Sequence, residues 1–114
     1  MQRIVKTLYL KPDQESITRY CEIHENIWPE IREGILTAGI HDMELYLSGN
    51  LAVMIVEMEE GLNPREVFAK LATLPRQQEW EEFVGRYQQC SNGDSSAEKW
   101  HEMRKIFSLI HEND

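Results

Sequence analysis

Tyr20, His24 and Trp28 recur at four-residue steps, and a helix through them stacks the three side chains along one face. An imidazole exchanges protons near neutrality because its unperturbed pKa is about 6.5. A phenol one turn earlier can orient that ring or bind a hydroxyl, so this face is read as one wall of a site. His24 is the candidate acid or base, assisted by Tyr20 or a carboxylate such as Glu81. A lone histidine on an apolar helix face is more often a hydrogen-bonded core residue, and Trp28 alone fits a core equally well. Pro29 disfavours helical backbone at Trp28 and removes one helix hydrogen bond, which predicts a kink or break there.

A second constellation runs from Pro75 to Phe83. Trp80, followed by Glu81 and Glu82, sets an aromatic plate beside carboxylates, a combination suited to a sugar's apolar face and its rim of hydroxyls. The plainer alternative is a core stripe of Trp80, Val84 and Tyr87. Trp80 can serve both roles. Glu98, Lys99 and Trp100 fit an anchor for the C-terminal segment.

His24-Glu25 opens like the zinc-protease pattern HExxH, but Trp28 stands where the second histidine belongs. His41, His101 and His111 lack ligand spacing, so no metal site is expected. Phosphate-cradling glycine loops, a GxSxG elbow and a CxxC pair are all missing, which disfavours phosphoryl transfer, serine hydrolysis and thiol redox chemistry. Cys21 and Cys90 are read as free thiols.

These residues need elements to hold them. The chain has 114 residues, 41% hydrophobic and 28% charged, with a formal net charge of −8. One domain over 1–114 is expected, and the acidic balance argues against a nucleic-acid partner. With no apolar run near the ~20 residues of a membrane span and no signal-peptide pattern, a cytoplasmic protein is expected. Arg3 to Leu10 reads as a strand. Asp13 then caps an amphipathic helix from Gln14 to Ala38, bent near Pro29 and closed by Gly39. Ile40 to Leu47 and Leu51 to Glu59 read as a hairpin about Ser48-Gly49-Asn50.

Helices are predicted from Asn63 or Pro64 to Thr73 and from Pro75 to Gln89, followed by a loop over Ser91–Ser96. Trp100 to Ile110 has both helical and alternating spacing; taken as a strand, it completes the order β-α-β-β-α(α)-β. That is the ferredoxin-like split βαβ of the α+β class, an antiparallel sheet with helices on one face. Leu51 to Met58 is apolar on both alternating faces, so the bare face is expected to pair with a second copy of the sheet in a homodimer.

Tyr20-x-x-x-His24-x-x-x-Trp28-Pro29-Glu30-Ile31, Gly39-Ile40-x-Asp42-Met43-Glu44-x-Tyr46, Gln78-x-Trp80, Glu98-Lys99-Trp100 and Ile106-Phe107 occur in order across nearly the whole chain. Together they resemble the L-rhamnose mutarotase family. The resemblance implies a dimeric α+β barrel that interconverts the anomers of a 6-deoxy-L-hexopyranose, without metal or organic cofactor. It implies that His24 is the proton-donating histidine, Tyr20 a sugar-binding tyrosine and Trp80 the first of two adjacent tryptophans. The second of those tryptophans is Glu81 here, and a sugar-contacting tyrosine is Met43. Both changes fall on the expected sugar pocket, and these variants resemble the L-fucose branch of the family. Trp28 joins the expected sugar-binding set.

Two other readings share the fold. A non-catalytic sugar- or small-molecule-binding module predicts binding without faster anomer exchange. A cofactor-independent or haem-linked monooxygenase of the dimeric α+β barrel type predicts, in its haem form, a Soret shift on haem addition.

Overall fold

Strand β1 (Gln2–Tyr9) carries the β-branched and aromatic residues that suit a pleated surface. In the computed structural model, which describes residues 1–91 and 93–110, it lies inside a four-stranded antiparallel sheet. Asn92, within the expected loop, and His111 lie outside the described residues. The sheet order is β2-β3-β1-β4, with β2 (Ile40–Ser48), β3 (Leu51–Met58) and β4 (His101–Glu102). Among the described residues the helices are α1 (Gln14–Ile23), α2 (Pro29–Ala38), α3 (Pro64–Leu71), α4 (Gln77–Gly85) and α5 (Ser96–Lys99). This is the expected ferredoxin-like α+β arrangement.

The expected bent helix over 14–38 is two helices. Asp13 caps the first through a 3.0 Å bond from the Ser16 N–H to its carboxylate, and that helix ends at Ile23. His24 is its C-cap, and Trp28 is the N-cap of α2 with extended backbone. Pro29 causes this, because its ring forbids helical geometry at Trp28 yet fits the first turn of a new helix. Trp28 therefore does not continue the Tyr20–His24 line. Gly39 closes α2 at φ 114°. That positive φ favours glycine, and a Cβ there would also crowd Leu62 Cδ1 at 3.0 Å, the far end of a flexible side chain.

Three other boundaries shift. β2 runs on to Ser48, which pairs with Leu51, leaving a two-residue turn with Gly49 at φ 60°. The helix expected from Pro75 to Gln89 spans only Gln77–Gly85; Gln88 instead bridges to Leu10. Trp100–Ile110 is a strand only at His101–Glu102, although the Met103 N–H still reaches the Val5 carbonyl at 2.7 Å. Beyond it, Ile106, Phe107, Leu109 and Ile110 are exposed.

Burial alternates along β3, with Ala52, Met54, Val56 and Met58 buried. These meet Ile31, Val67, Phe68, Leu71, Trp80 and Val84 from the helices in one core. The opposite set, Leu51, Val53 and Ile55, stays half-buried, with Val5 beside Ile55 and the exposed Tyr46 beside Val53. One sheet face is packed; the other presents apolar side chains without a covering layer among the described residues. No helix among them is long and apolar enough to cross a membrane.

Candidate active site

His24 leaves the end of α1 with its ring against Tyr20, centroids 4.4 Å apart. Its Nδ1 lies 2.7 Å from the Tyr20 carbonyl oxygen. A carbonyl can only accept, so Nδ1 carries the proton. In the neutral ring Nε2 is then the free base. Burial lowers the His24 pKa below its ordinary 6.5, opposed by the Tyr20 carbonyl bond and by the Glu81 charge. The broken helix thus delivers a tautomer suited to taking a proton.

Tyr20 is buried, and its hydroxyl accepts a bond from Gln88 Nε2 at 3.2 Å. Burial pushes the phenol pKa up, with the Gln88 bond opposing, so the phenol keeps its proton and can donate it to a hydrogen bond. Trp80 stands edge-on to the imidazole at 5.6 Å and to Trp28 at 5.1 Å. Trp28 stacks on Phe83 at 5.4 Å and 20°, with the Arg76 guanidinium 4.2 Å above its ring. Arg76 itself sits at φ 63°, held by bonds to both Glu79 carboxylate oxygens at 3.0 and 3.1 Å. Trp28 is placed as a buttress behind Trp80.

Glu81, one residue beyond Trp80, is buried in α4. Its Oε1 pairs with Lys99 Nζ at 2.8 Å, and its Oε2 accepts from Gln77 Nε2 at 2.6 Å. Lys99 Nζ also donates to the Glu81 carbonyl at 3.2 Å. A buried carboxylate needs such partners, since desolvating it unpaired costs several kcal/mol. Lys99 reaches it because Ser95 and Glu98 form a capping box that nucleates α5. The Glu98-Lys99-Trp100 run therefore divides its work: Glu98 caps, Lys99 pairs with Glu81, and Trp100 is buried in the cavity wall.

These groups converge. Tyr20, His24, Gln77, Trp80, Glu81, Gln88 and Trp100 line one narrow cavity of about 70 Å³, whose apolar side is Ile27, Ile35, Met43 and Leu45. An open groove of about 430 Å³ shares His24, Ile27, Ile35, Met43 and Leu45 with it and adds Arg32, His41 and Asp42. A further cavity of about 200 Å³ shares Gln77 and Glu81. His24 lines both the narrow cavity and the open groove. Of the residues expected from sequence, Tyr20, His24, Met43, Trp80 and Glu81 line this space, while Trp28 lines neither the narrow cavity nor the groove. Gln77, Gln88 and Lys99 were not anticipated. Gln77 sits four residues before Glu81, a helical pairing visible in sequence; Gln88 carries no such signal.

Comparison with known proteins identifies the family. The family model for L-rhamnose mutarotase matches residues 3–109. A Xanthomonas campestris pv. campestris protein named L-fucose mutarotase is 35% identical over 111 residues, 96% of this chain and 89% of that one. A Dictyostelium discoideum protein of the UPF0734 group is 29% identical over 108 residues, 91% and 86% of the two chains. Among solved structures, the L-rhamnose mutarotase of Formosa agariphila superposes with a TM-score of 0.68 at 14% identity, covering 96% of this chain and 99% of that one. The tetracenomycin F2 cyclase of Streptomyces glaucescens, a type-II polyketide cyclase, superposes with a TM-score of 0.58 at 18% identity, covering 95% and 98%. At such identities the structural likenesses establish the α+β barrel fold and not the chemistry.

Proposed function

Because the chain belongs to the L-rhamnose mutarotase family, a family of anomer-interconverting isomerases, we propose that it interconverts the α and β anomers of a 6-deoxy-L-hexopyranose, L-fucose before L-rhamnose. The observation that carries the mechanism is the fixed tautomer of His24, with Nδ1 bound to the Tyr20 carbonyl and Nε2 left basic.

Mutarotation moves one proton from the anomeric hydroxyl to the ring oxygen. In the proposed reaction His24 Nε2 takes the O1 proton, the C1–O5 bond breaks and C1=O1 forms. The imidazolium then returns its proton to O5. Rotation about C1–C2 and the reverse sequence close the ring on the other face, so the proton count is unchanged. The Tyr20 phenol, kept neutral by burial, donates a hydrogen bond to a hydroxyl of the sugar and holds it beside His24. Both Glu81 oxygens already accept bonds, which casts Glu81 as a fixed negative charge favouring the imidazolium.

Trp80 supplies the plate for the sugar's apolar face, and Met43 with Ile27 and Ile35 supplies a wall for its methyl group. The preference for L-fucose is supported by the 35% identity to the Xanthomonas protein of that name.

We also infer a homodimer joined through the apolar sheet face around Val53 and Ile55. Its support is the half-exposed row that the helices leave bare. Exchange NMR between anomers of L-fucose, L-rhamnose and D-galactose tests the activity. Enzyme-dependent exchange is expected for L-fucose, and none with any of the three would reject the reading. His24→Asn should lower the exchange rate by about 100- to 10,000-fold, the usual contribution of a positioned acid/base group, while the protein stays folded.

A further inference from the structure

Two buried side-chain polar atoms among the described residues have no hydrogen-bond partner: Gln77 Oε1 and Gln88 Oε1. Both residues are buried, Gln77 at 4% exposure and Gln88 at 1%. Both line the single narrow cavity that also holds Tyr20, His24 and Glu81. A buried amide oxygen without a partner forfeits its hydration with nothing in return. Two such atoms, carried by residues that line one cavity, point to a place where a ligand completes the bonding.

The orientation of each amide follows from its fixed partner. Gln77 Nε2 faces Glu81 Oε2 at 2.6 Å, and a carboxylate only accepts, so the Gln77 amide cannot be turned round. Its oxygen is left over as an acceptor. Gln88 Nε2 faces the Tyr20 hydroxyl at 3.2 Å; turning that amide would merely leave its NH₂ orphaned instead. With the amide as it stands, the Tyr20 oxygen accepts from Gln88, and the phenol proton is free to point elsewhere. Tyr20 O–H and Gln88 Oε1 then form a neighbouring donor and acceptor. That is the complement of an alcohol, which accepts one bond and donates another.

We propose that Gln77 and Gln88 are substrate-binding residues, each amide oxygen accepting a hydrogen bond from a different ring hydroxyl of the bound pyranose. This rests on the sugar reading above and adds the two groups that select among hydroxyl patterns. Amide acceptors suit this task because a site built to bond a hydroxyl rejects the analogue lacking it far more strongly than an apolar pocket does. Gln88 also acts on Tyr20, since its N–H bond to the phenol oxygen strengthens the phenol as a donor.

The test is binding, read separately from catalysis. L-Fucose is titrated against the full chain by tryptophan fluorescence, since Trp80 and Trp100 line the cavity, and anomer exchange is measured by NMR on the same samples. Gln77→Met and Gln88→Met preserve length and apolar volume while removing the acceptor. Each should weaken L-fucose binding about three- to tenfold, the range of one neutral hydrogen bond. Mono-deoxygenated forms of L-fucose, each lacking one ring hydroxyl, supply a readout that a merely structural amide would not move. One form should bind wild type and Gln88→Met equally, and a different form should bind wild type and Gln77→Met equally. The deoxy series on wild-type protein stands even where a variant fails to fold: at least two forms should each bind several-fold more weakly than L-fucose.

The outcomes separate the two readings. Normal exchange with wild-type affinity in both variants, or with no deoxy form weakened, overturns the amide assignment and leaves the mutarotase reading intact. Sugar binding that the amide variants weaken, without faster exchange in wild type, supports the amide assignment and overturns the mutarotase reading. Failure of wild type to bind any of the sugars overturns both.

Discussion

At the scale of single residues, the chemistry rests on an imidazole whose surroundings keep it uncharged. Burial lowers the His24 pKa below 6.5, so its base form survives mild acidification. Anomer exchange should hold steady from alkaline pH down through 6.5 and fall only as pH drops through the lowered value, as measured by exchange NMR across pH. Stability follows the same sign. A group whose folded pKa is depressed contributes fully above its unfolded value, near 6.5, and loses that contribution as pH falls through the folded one. Lys99 is the other decisive residue, because it is only 3% exposed and faces Glu81 at 2.8 Å. Lys99→Met should cost about 3–5 kcal/mol in urea unfolding, since it leaves a buried carboxylate without its ion-pair partner. The double change Glu81→Leu with Lys99→Met should recover most of that loss. His24 and Tyr20 were legible in sequence because one helical step joins them. The partner of Glu81 was not, since Lys99 lies eighteen residues away and meets it only through the fold.

At the scale of elements, strands and caps were legible wherever local rules act alone. Asp13, Gly39 and the hairpin about Gly49 each do what their residue types require. The break at 24–28 was half legible: Pro29 announces an interruption, but whether a helix bends or restarts depends on packing between Trp28, Phe83 and Trp80. The extent of α4 was less so. Helical periodicity continues to Tyr87, yet the Leu10–Gln88 bridge and the bond from the Gln89 N–H to the Tyr9 carbonyl at 2.8 Å draw the chain into the sheet edge. That non-local pairing brings Gln88 to the cavity. Gly39→Ala should cost about 1–3 kcal/mol, the usual penalty for strained backbone, in chemical unfolding. Because Gly39 feeds the start of β2, which carries Met43 to the groove, the same variant should raise KM for the sugar more than it lowers kcat.

At the scale of the whole molecule, the sheet has one packed face and one apolar face. The two-sided pattern of Leu51 to Met58 predicted this, and the register shows how the bare face is built, with Val5, Val53 and Ile55 in neighbouring strands. The C-terminal segment was not legible. Its alternation matches a strand, but only His101 and Glu102 pair with β1, and the apolar residues that follow are exposed. If the proposed homodimer forms through the bare face, light scattering with size exclusion should give twice the chain mass at micromolar concentration. Val53→Glu together with Ile55→Glu should give a monomer of unchanged helix content by circular dichroism. A wild-type monomer at that concentration would remove the dimer from the proposal.

The position of His24 as the residue that ends α1 carries one more consequence. The carbonyls of a helix's last turn sum to about half a negative elementary charge, and His24 Nδ1 is bonded to one of them. Dry surroundings disfavour a charged imidazole at rest, while this fixed pole and the carboxylate of Glu81 favour it once a proton arrives. Burial prevails at rest, and the carbonyl pole and Glu81 offset part of it. Such partial compensation suits a group that rests as a base yet must take up and release the same proton in every turnover, because the charged form is brief without being inaccessible.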